Sequence, residues 1–477
     1  REPRVARTVK SCFAGPMTDF SSLLAPDRGQ PARIIHVVHP DRFEEWLIAQ
    51  PARTRTAVAA NKVVGKPGNR AILPGDAPDD WAMLLVSNED VTSPWRIASL
   101  GDGLPEGTYR LAEGEPGAAM LGWCLAQHRF TRYRSAPDAQ GPRVLLTGEP
   151  GRIEEIVRLA EATALVRDLV DTGASDLGPA DLEAQVELLA KAHGATTRVT
   201  RGDALAVEYP MIHVVGQAAS KERAPRLIEL EWGDPAHPRI ALVGKGVCFD
   251  SGGLDVKTSG GMRLMKKDMG GAAHMIALAG LVMGAKRKVR LHLLVPAVEN
   301  AIAGNAFRPG DVLRSRAGLT VENTNTDAEG RLILADALTR AVEDRPELIV
   351  DFATLTGAAR VALGPDLPPL FANDEELAAD FLAAGTAAHD PLWRLPLWDG
   401  YDDMLKSDVA DMVNAPDGGF AGAVTAALFL RRFVPKDIAW AHVDTFAWRP
   451  APRPGRPKGG AALGLAAAWG VLRKRYG

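Results

Sequence analysis

Short apolar runs alternate with stretches of helical spacing along most of the chain. From Pro31 the run ARIIHVVHP precedes DRFEEWLIAQ, and WAMLLVSNED precedes AAMLGWCLAQHRFTRY, the second member of each pair carrying apolar residues three and four apart. Unbroken runs of this length predict buried strands, and the wider spacing predicts helices. A further strand, RVLLTG, sits between the Pro and Gly punctuators of residues 135–151, and the long helical pattern RIEEIVRLAEATALVRDLV follows it. Beyond it, IALVG (240–244), LHLLVPAV (291–298), ELIVDFA (347–353) and IAWAHVD (438–444) again alternate with helical segments. Runs apolar at nearly every position suit strands covered on both faces, as in a parallel or mixed sheet between helices.

The pattern predicts an α/β chain of two domains: a smaller N-terminal α/β domain over 17–150, a connecting helix over 151–174, and a larger C-terminal catalytic domain over 175–477 whose mixed central sheet is covered by helices. In open α/β sheets, ligands gather at the carboxyl ends of strands. Three of the four later runs end in polar or Gly-rich segments: KGVCFDSGGLDVK after IALVG, ENAIAGNAFRPGD after LHLLVPAV, and TLTGAAR after ELIVDFA.

Composition narrows the class. With 46% hydrophobic and 24% charged residues the chain is an ordinary globular one, and 56 Lys and Arg against 59 Asp and Glu leave a formal charge of −3. That balance offers no electrostatic attraction to nucleic acid or to an anionic membrane, and no run reaches the ~18 apolar residues of a membrane helix. Cys12, Cys124 and Cys248 are too few and too scattered for a disulfide framework or a cysteine zinc site, which points to a reducing compartment, the cytoplasm. Residues 1–16, REPRVARTVKSCFAGP, are basic but lack the apolar centre of a secretory signal; they are read as upstream or added sequence without a fold of its own, before a start at Met17.

Two acid-bearing stretches carry the candidate chemistry. One is KGVCFDSGGLDVKTSGGMRLMKKD over 245–268; the other is NTDAEGRL over 325–332, immediately before the helical ILADALTRAVED. Acids at a helix start are favoured by the macrodipole alone, so the second stretch by itself decides nothing. If both sets converge, however, their carboxylates repel, and a proton or a cation must intervene. Asp250, Asp268, Asp327 and Glu329 then supply four hard oxygen donors, enough for two divalent ions about 3.5–4 Å apart when one carboxylate bridges them. None of the ten His shows the paired spacing of a zinc-binding helix. His36, His274 and His442, in or beside apolar runs, read as core or hydrogen-bonded residues, and any metal is expected to be held chiefly by oxygen.

Together, NTDAEGRL, VGKGVCFDSGGLDVK, MKKDMGGAAHM, VENAIAGNAFRPGD and DFATLTGA resemble the leucyl aminopeptidase family, the two-zinc exopeptidases of family M17, over residues 243–359 almost without interruption. The resemblance implies one metal held by Asp250, by Asp327 through side chain and backbone carbonyl, and by Glu329. It implies a second held by Lys245, Asp250, Asp268 and Glu329. The ions would be Zn²⁺ or Mn²⁺, with Mg²⁺ or Co²⁺ as alternatives. A lysine ligand must be the neutral amine, which two dications and burial both favour. The implied reaction removes the N-terminal residue of a peptide with a hydroxide bridging the metals, one metal polarising the carbonyl and the other taking the free amine. Lys257 is implied to stabilise the developing oxyanion, and Arg331 to seat a bicarbonate ion that shuttles the proton. Met265, Asn325, Thr354 and Gly357 match positions on the substrate side. The implied assembly is a homohexamer, a dimer of trimers.

The chain departs from the family where the latter continues its late strand as HLDIAG. Here residues 442–448 read HVDTFAW, placing Phe446 and Trp448 where small residues are expected. Bulk in a pocket shifts selectivity by about 1–3 kcal/mol per methylene-sized change, so these residues bear on any preference for leucine. The Gly-rich stretch KGGAALGLAAAW is also only an approximate match. Two rival readings come from other classes: a two-metal phosphohydrolase, since clustered acids also serve phosphate chemistry, and a family member with an added DNA-binding role. Neither a P-loop pattern nor a basic excess is present.

Overall fold

A computed structural model describes residues 18–77, 80–135 and 141–477; the reading of residues 1–16, the start at Met17 and Cys12 lie outside the described residues. The chain divides into two compact units. One reaches to Ala164 and takes in Ala451–Pro457; the other holds Leu165–Pro450 and Lys458–Gly477, so the division falls inside the long helix Ile153–Asp171.

The N-terminal unit is built on six strands, β1 (Leu24–Pro26), β2 (Arg33–Val38), β3 (Arg70–Pro74), β4 (Trp81–Val86), β5 (Gly107–Leu111) and β6 (Arg143–Thr147). They are ordered β1-β6-β5-β2-β4-β3, parallel except for the edge strand β3, which runs antiparallel to β4. The pattern reads directly: β4 buries Met83, Leu84, Leu85 and Val86 in succession, while β3 alternates, burying only Ala71 and Leu73. The helical pattern over 118–133 is shorter than its spacing suggests, ending at Ala126. Gln127 explains the stop: its side-chain amide donates to Arg143 O at 3.0 Å and accepts from Arg143 N at 3.0 Å, pairing with the edge of β6 like a short strand.

The larger unit carries a nine-stranded sheet. Its strands are β7 (Thr196–Arg201), β8 (Arg226–Trp232), β9 (Arg239–Gly244), β10 (Gly246–Asp250), β11 (Arg290–Asn300), β14 (Leu348–Ala353), β15 (Pro369–Ala372), β16 (Trp393–Arg394) and β18 (Ala439–Asp444); β12 (Val312–Arg314), β13 (Thr320–Glu322) and β17 (Met412–Val413) form a small separate sheet. The order is β16-β15-β18-β14-β9-β11-β8-β7, with β10 beside β11. The centre is parallel, β18 to β14 to β9 to β11, and β10 is parallel to β11 as well. The flanks β15, β8 and β7 pair antiparallel. The sheet is therefore mixed, as the apolar runs suggest.

This topology positions the site. Because the central strands run one way, their carboxyl ends, Gly244, Asp250, Asn300, Ala353 and Asp444, lie along one edge of the sheet. Two helices cover the strands and are themselves almost wholly buried, Gly270–Gly284 and Glu329–Glu343. A helix apolar around most of its circumference is a core helix, and burying it fixes whatever its first turn presents. No helix among the described residues is long and apolar enough to cross a membrane. Cys124 and Cys248 are buried free thiols.

Candidate metal centre

The two acid-bearing stretches meet. Asp250 ends β10, Asp327 lies in the turn ahead of the helix Glu329–Glu343, and Glu329 is that helix's first residue. Their carboxylate oxygens lie within 4.8 Å of one another. Asp268, from the single turn Met265–Met269, joins them through a lysine: Lys245 Nζ stands 2.7 Å from Asp268 Oδ2 and 2.9 Å from Glu329 Oε1, and it donates to Thr354 O at 3.2 Å. A second ammonium, Lys257 Nζ, stands 2.8 Å from Asp250 Oδ2 and touches Asp327 Oδ1. Four carboxylates thus enclose two ammonium groups.

Backbone chemistry makes this approach possible. Lys245 follows the last residue of β9, its amide donating to Phe352 O at 3.0 Å and its carbonyl accepting from Ala272 N at 2.8 Å. Its side chain then passes directly over the helix start. A Cβ at Gly330 would stand 2.6 Å from Lys245 Nζ, which is why a glycine separates Glu329 from Arg331. Gly252, with φ +89°, turns the chain back after Asp250 and donates its amide to Asp250 Oδ1 at 2.9 Å. Asn300, at the end of β11, donates to the same oxygen at 2.9 Å and to Thr326 O at 3.0 Å, bracing both acid-bearing loops.

Electrostatics follow from crowding. Burial, then the neighbouring Asp250, pushes Glu329 up to about 8, and the same two causes push Asp327 up to about 6. Burial alone would raise Asp268 too, but the charges of Lys245 and Lys267 outweigh it and hold its carboxyl below the usual range. Burial would lower Lys245, yet Asp268 and Glu329 hold it above the ordinary lysine value; Lys257 is likewise raised by Asp250 against burial. With no other cation in play, the acids keep both ammonium groups charged.

The donor set fits divalent cations. Every carboxylate donor is a hard oxygen, and Glu329, 1% exposed, meets the Lys245 ammonium at Oε1 while its Oε2 has no hydrogen-bond partner among the described residues. Such an oxygen is costly unless an ion takes it. A second acidic group, Glu231, His292 and Asp344, is different in kind. Arg239 Nη2 already contacts Glu231 Oε1 and Asp344 Oδ2, both at 2.9 Å, so a guanidinium spans those carboxylates.

Of the remaining sequence-derived residues, Thr354 and Asn325 hydrogen-bond to residues of this nest. Arg331, buried, donates to Asn414 O at 2.6 Å, and burial pulls its pKa down to about 10 against Glu329 and Asp444. Thr354 Oγ1 donates to Asp268 Oδ1 at 2.9 Å. Asn325 is exposed, and its Oδ1 accepts from Asp327 N at 2.8 Å. Met265 is buried two residues after the exposed Arg263, and Gly357 is exposed at the start of the helix Gly357–Leu363. The three histidines stay out of the nest: His274 is buried with Nδ1 2.7 Å from Gly270 O and its pKa lowered by burial to about 4, His442 Nδ1 lies 2.5 Å from Asp351 Oδ1, and His36 packs beside Trp46.

Sequence reasoning missed the braces. Asp255 and Thr326 are joined by three hydrogen bonds, Thr326 N donating to Asp255 Oδ2 at 2.7 Å, Thr326 Oγ1 to the same oxygen at 3.0 Å, and Asp255 N to Thr326 Oγ1 at 2.8 Å. Asp444 accepts from Leu355 N at 2.9 Å and Thr356 Oγ1 at 2.6 Å, fixing the loop after β14. Lys267, 2% exposed, donates to Asp268 Oδ1 at 3.2 Å and lies over the Phe446 ring. The only signal for these was polarity inside otherwise constrained loops.

A mixed α/β sheet whose parallel centre presents clustered carboxylates and lysines at its carboxyl edge fits a metal-dependent hydrolase. The comparisons with known proteins name it. Residues 164–467 match the description "Cytosol aminopeptidase family, catalytic domain" and residues 34–145 match "M17 aminopeptidase, N-terminal domain", so the chain belongs to the cytosol aminopeptidase family, M17. A probable cytosol aminopeptidase of Syntrophotalea carbinolica is 41% identical over 361 residues, 72% of this chain and 72% of that protein. The crystal structure of the cytosol aminopeptidase from Coxiella burnetii is 44% identical, with a TM-score of 0.90 over 95% of this chain and 100% of that one. The bottromycin maturation enzyme BotP, in complex with Mn, is 33% identical with a TM-score of 0.84, over 94% of this chain and 100% of that one. The chain is accordingly a metal-dependent aminopeptidase, a metallo-exopeptidase; the phosphohydrolase reading is not favoured.

Proposed function

We propose that Asp250, Asp268, Asp327 and Glu329, with Lys245, hold two divalent cations, Zn²⁺ or Mn²⁺, and that peptides lose their N-terminal residue at this centre. The observation that carries the reading is the enclosure of two ammonium groups by four carboxylates, with Glu329 Oε2 left without a hydrogen bond among the described residues. The ammonium groups mark where positive charge is needed. When bound, two such ions make a water nucleophilic near neutral pH and polarise the scissile carbonyl.

The chain's own residues do the rest. Asp250 is held rigid by Asn300 and the Gly252 amide, so its carboxylate faces the nest in one orientation. Lys245, as a ligand, would be the neutral amine, its lone pair taken up by coordination. Lys257 then keeps its proton and directs its ammonium at the oxygen on which negative charge grows. Arg331, fixed by Asn414 O, offers a buried guanidinium that would seat a small anion such as bicarbonate as the proton carrier. Asn325, Met265, Thr354 and Gly357 line the approach of the substrate's first residue.

These roles fall within residues 175–477; the N-terminal domain over 17–150 and the connecting helix over 151–174 contribute none of them. The enzyme is assigned to the cytoplasm as a homohexamer, on the resemblance and on its buried free thiols. A peptide with a free amino terminus and its N-acetylated twin, followed by mass spectrometry, test the reading. Stepwise loss of single residues from the first and none from the second is expected; internal cleavage of either would overturn it.

A further inference from the structure

Two cations crowd one aromatic ring beside the metal nest. Lys267 Nζ lies over the Phe446 ring at 5.6 Å from its centroid, and the Arg360 guanidinium carbon lies over the same ring at 4.5 Å. Lys267 is 2% exposed, while Phe446 and Arg360 are half-buried and Gly357, at the head of the helix that carries Arg360, is exposed. Exposure therefore falls from Gly357 inward to Lys267.

Neither cation has a carboxylate to itself. Among the described residues the sole carboxylate contact of Lys267 is Asp268 Oδ1 at 3.2 Å, and Asp268 is shared with Lys245 at 2.7 Å. Arg360 donates to Thr356 O at 3.1 Å and has no carboxylate partner among the described residues. The proposed function makes the imbalance sharper, because it commits Asp268 to a metal. A buried ammonium would then stand with the ring face as its chief contact, which only partly offsets its desolvation. An incoming anion would correct this.

Resting on the aminopeptidase reading above, the geometry points to a first-residue pocket that selects an acidic side chain: Lys267 at its floor and Arg360 at its rim pair with the carboxylate of an N-terminal glutamate or aspartate, and Phe446 fills the room a leucine side chain would need. A lysine and an arginine supply unlike contacts, a point charge and a planar fork, and a carboxylate can accept from both.

The test compares glutamyl, glutaminyl and leucyl anilides on the metal-loaded enzyme. Glutamine matches glutamate in size and shape without the charge. The expected kcat/KM for the glutamyl anilide exceeds that for the glutaminyl by about tenfold or more, as for a site built to recognise one polar group. Lys267→Met and, independently, the less buried Arg360→Gln are each expected to move that ratio toward one, chiefly through KM. Calorimetric binding of free glutamate against free glutamine supplies a readout apart from turnover, with the same order expected. Preference for leucyl or glutaminyl substrate in the unaltered enzyme, or a ratio unmoved in both variants, overturns this inference while leaving the aminopeptidase reading intact. Failure to hydrolyse any of the three anilides would remove the parent reading and this one with it.

Discussion

Asp255 and Thr326 are bound reciprocally, each residue's backbone amide donating to the other's side chain, at 2.8 Å from Asp255 N and 2.7 Å from Thr326 N. The pair joins the loop that ends in Lys257 to the loop that carries Asp327. Neither residue is assigned to a metal, yet together they set the distance between Lys257 and the nest. Residues that orient metal ligands typically cost 10–100-fold in affinity or activity when removed. Asp255→Ala is expected to lower kcat and metal affinity by about that range, with the melting temperature changed far less. Steady-state kinetics beside metal titration would check it, and unchanged values in both would show the clamp to be incidental.

Glu329 gives a pH signature. Its unfolded carboxyl titrates near the ordinary glutamate value, while in the fold burial and Asp250 push it up to about 8. The folded state therefore binds the extra proton between those limits, and the linkage relation makes stability fall as pH rises through that window. Metal-depleted protein should lose melting temperature from about pH 5 to pH 8, and Glu329→Gln should flatten the slope. The same substitution is expected to abolish turnover with the fold intact. Parallel melting profiles for the two proteins would contradict the assignment.

Lys257 is the proposed oxyanion donor. Replacing a single preorganised donor of this kind costs roughly 10²–10³ in kcat. Lys257→Met should show that loss, with substrate KM altered little. A loss confined to KM would move Lys257 from the reaction to substrate binding.

Asp336 is a structural counterweight that shares the helix with Glu329. Fully buried, it accepts from Met211 N at 2.8 Å, Ile212 N at 3.3 Å and Arg316 N at 2.7 Å. Asp336→Ala leaves three amides without an acceptor, at about 1–3 kcal/mol for each one truly orphaned. A destabilisation of several kcal/mol is expected, measured by denaturant titration, while specific activity per folded molecule holds. Stability within about 0.5 kcal/mol of the unaltered protein would mean water replaces the carboxylate.

Much of this was legible in the sequence because the site's acids sit in contiguous stretches at strand ends, where topology brings ligands together. Asp250, Asp327 and Glu329 are recoverable from two short motifs, and Gly330 from the same string once the lysine beside it is known. The braces were not legible. Asn300 reaches Asp250 from 50 residues away, Thr326 reaches Asp255 across 71, and Arg331 meets Asn414 across 83. A hydrogen bond over such separations depends on how strands stack, which no local pattern encodes. The strand Thr196–Arg201 was missed for another reason: mostly exposed and polar at the sheet edge, it carries no apolar run to reveal it. Lys267 was passed over because a lysine beside an aspartate reads as a solvated charge, and only the packed structure shows it buried under Phe446.

The reaction rests on the proposal that two divalent cations occupy one nest of carboxylates, with Lys245 neutral and Lys257 still charged. Its most direct test adds Mn²⁺ or Zn²⁺ stepwise to protein stripped by a chelator, following bound metal and hydrolysis of an aminoacyl anilide together. The expected result is no activity in the stripped protein and full activity at two equivalents per chain, with protons released as Glu329 ionises. Full activity in verified metal-free protein would contradict it.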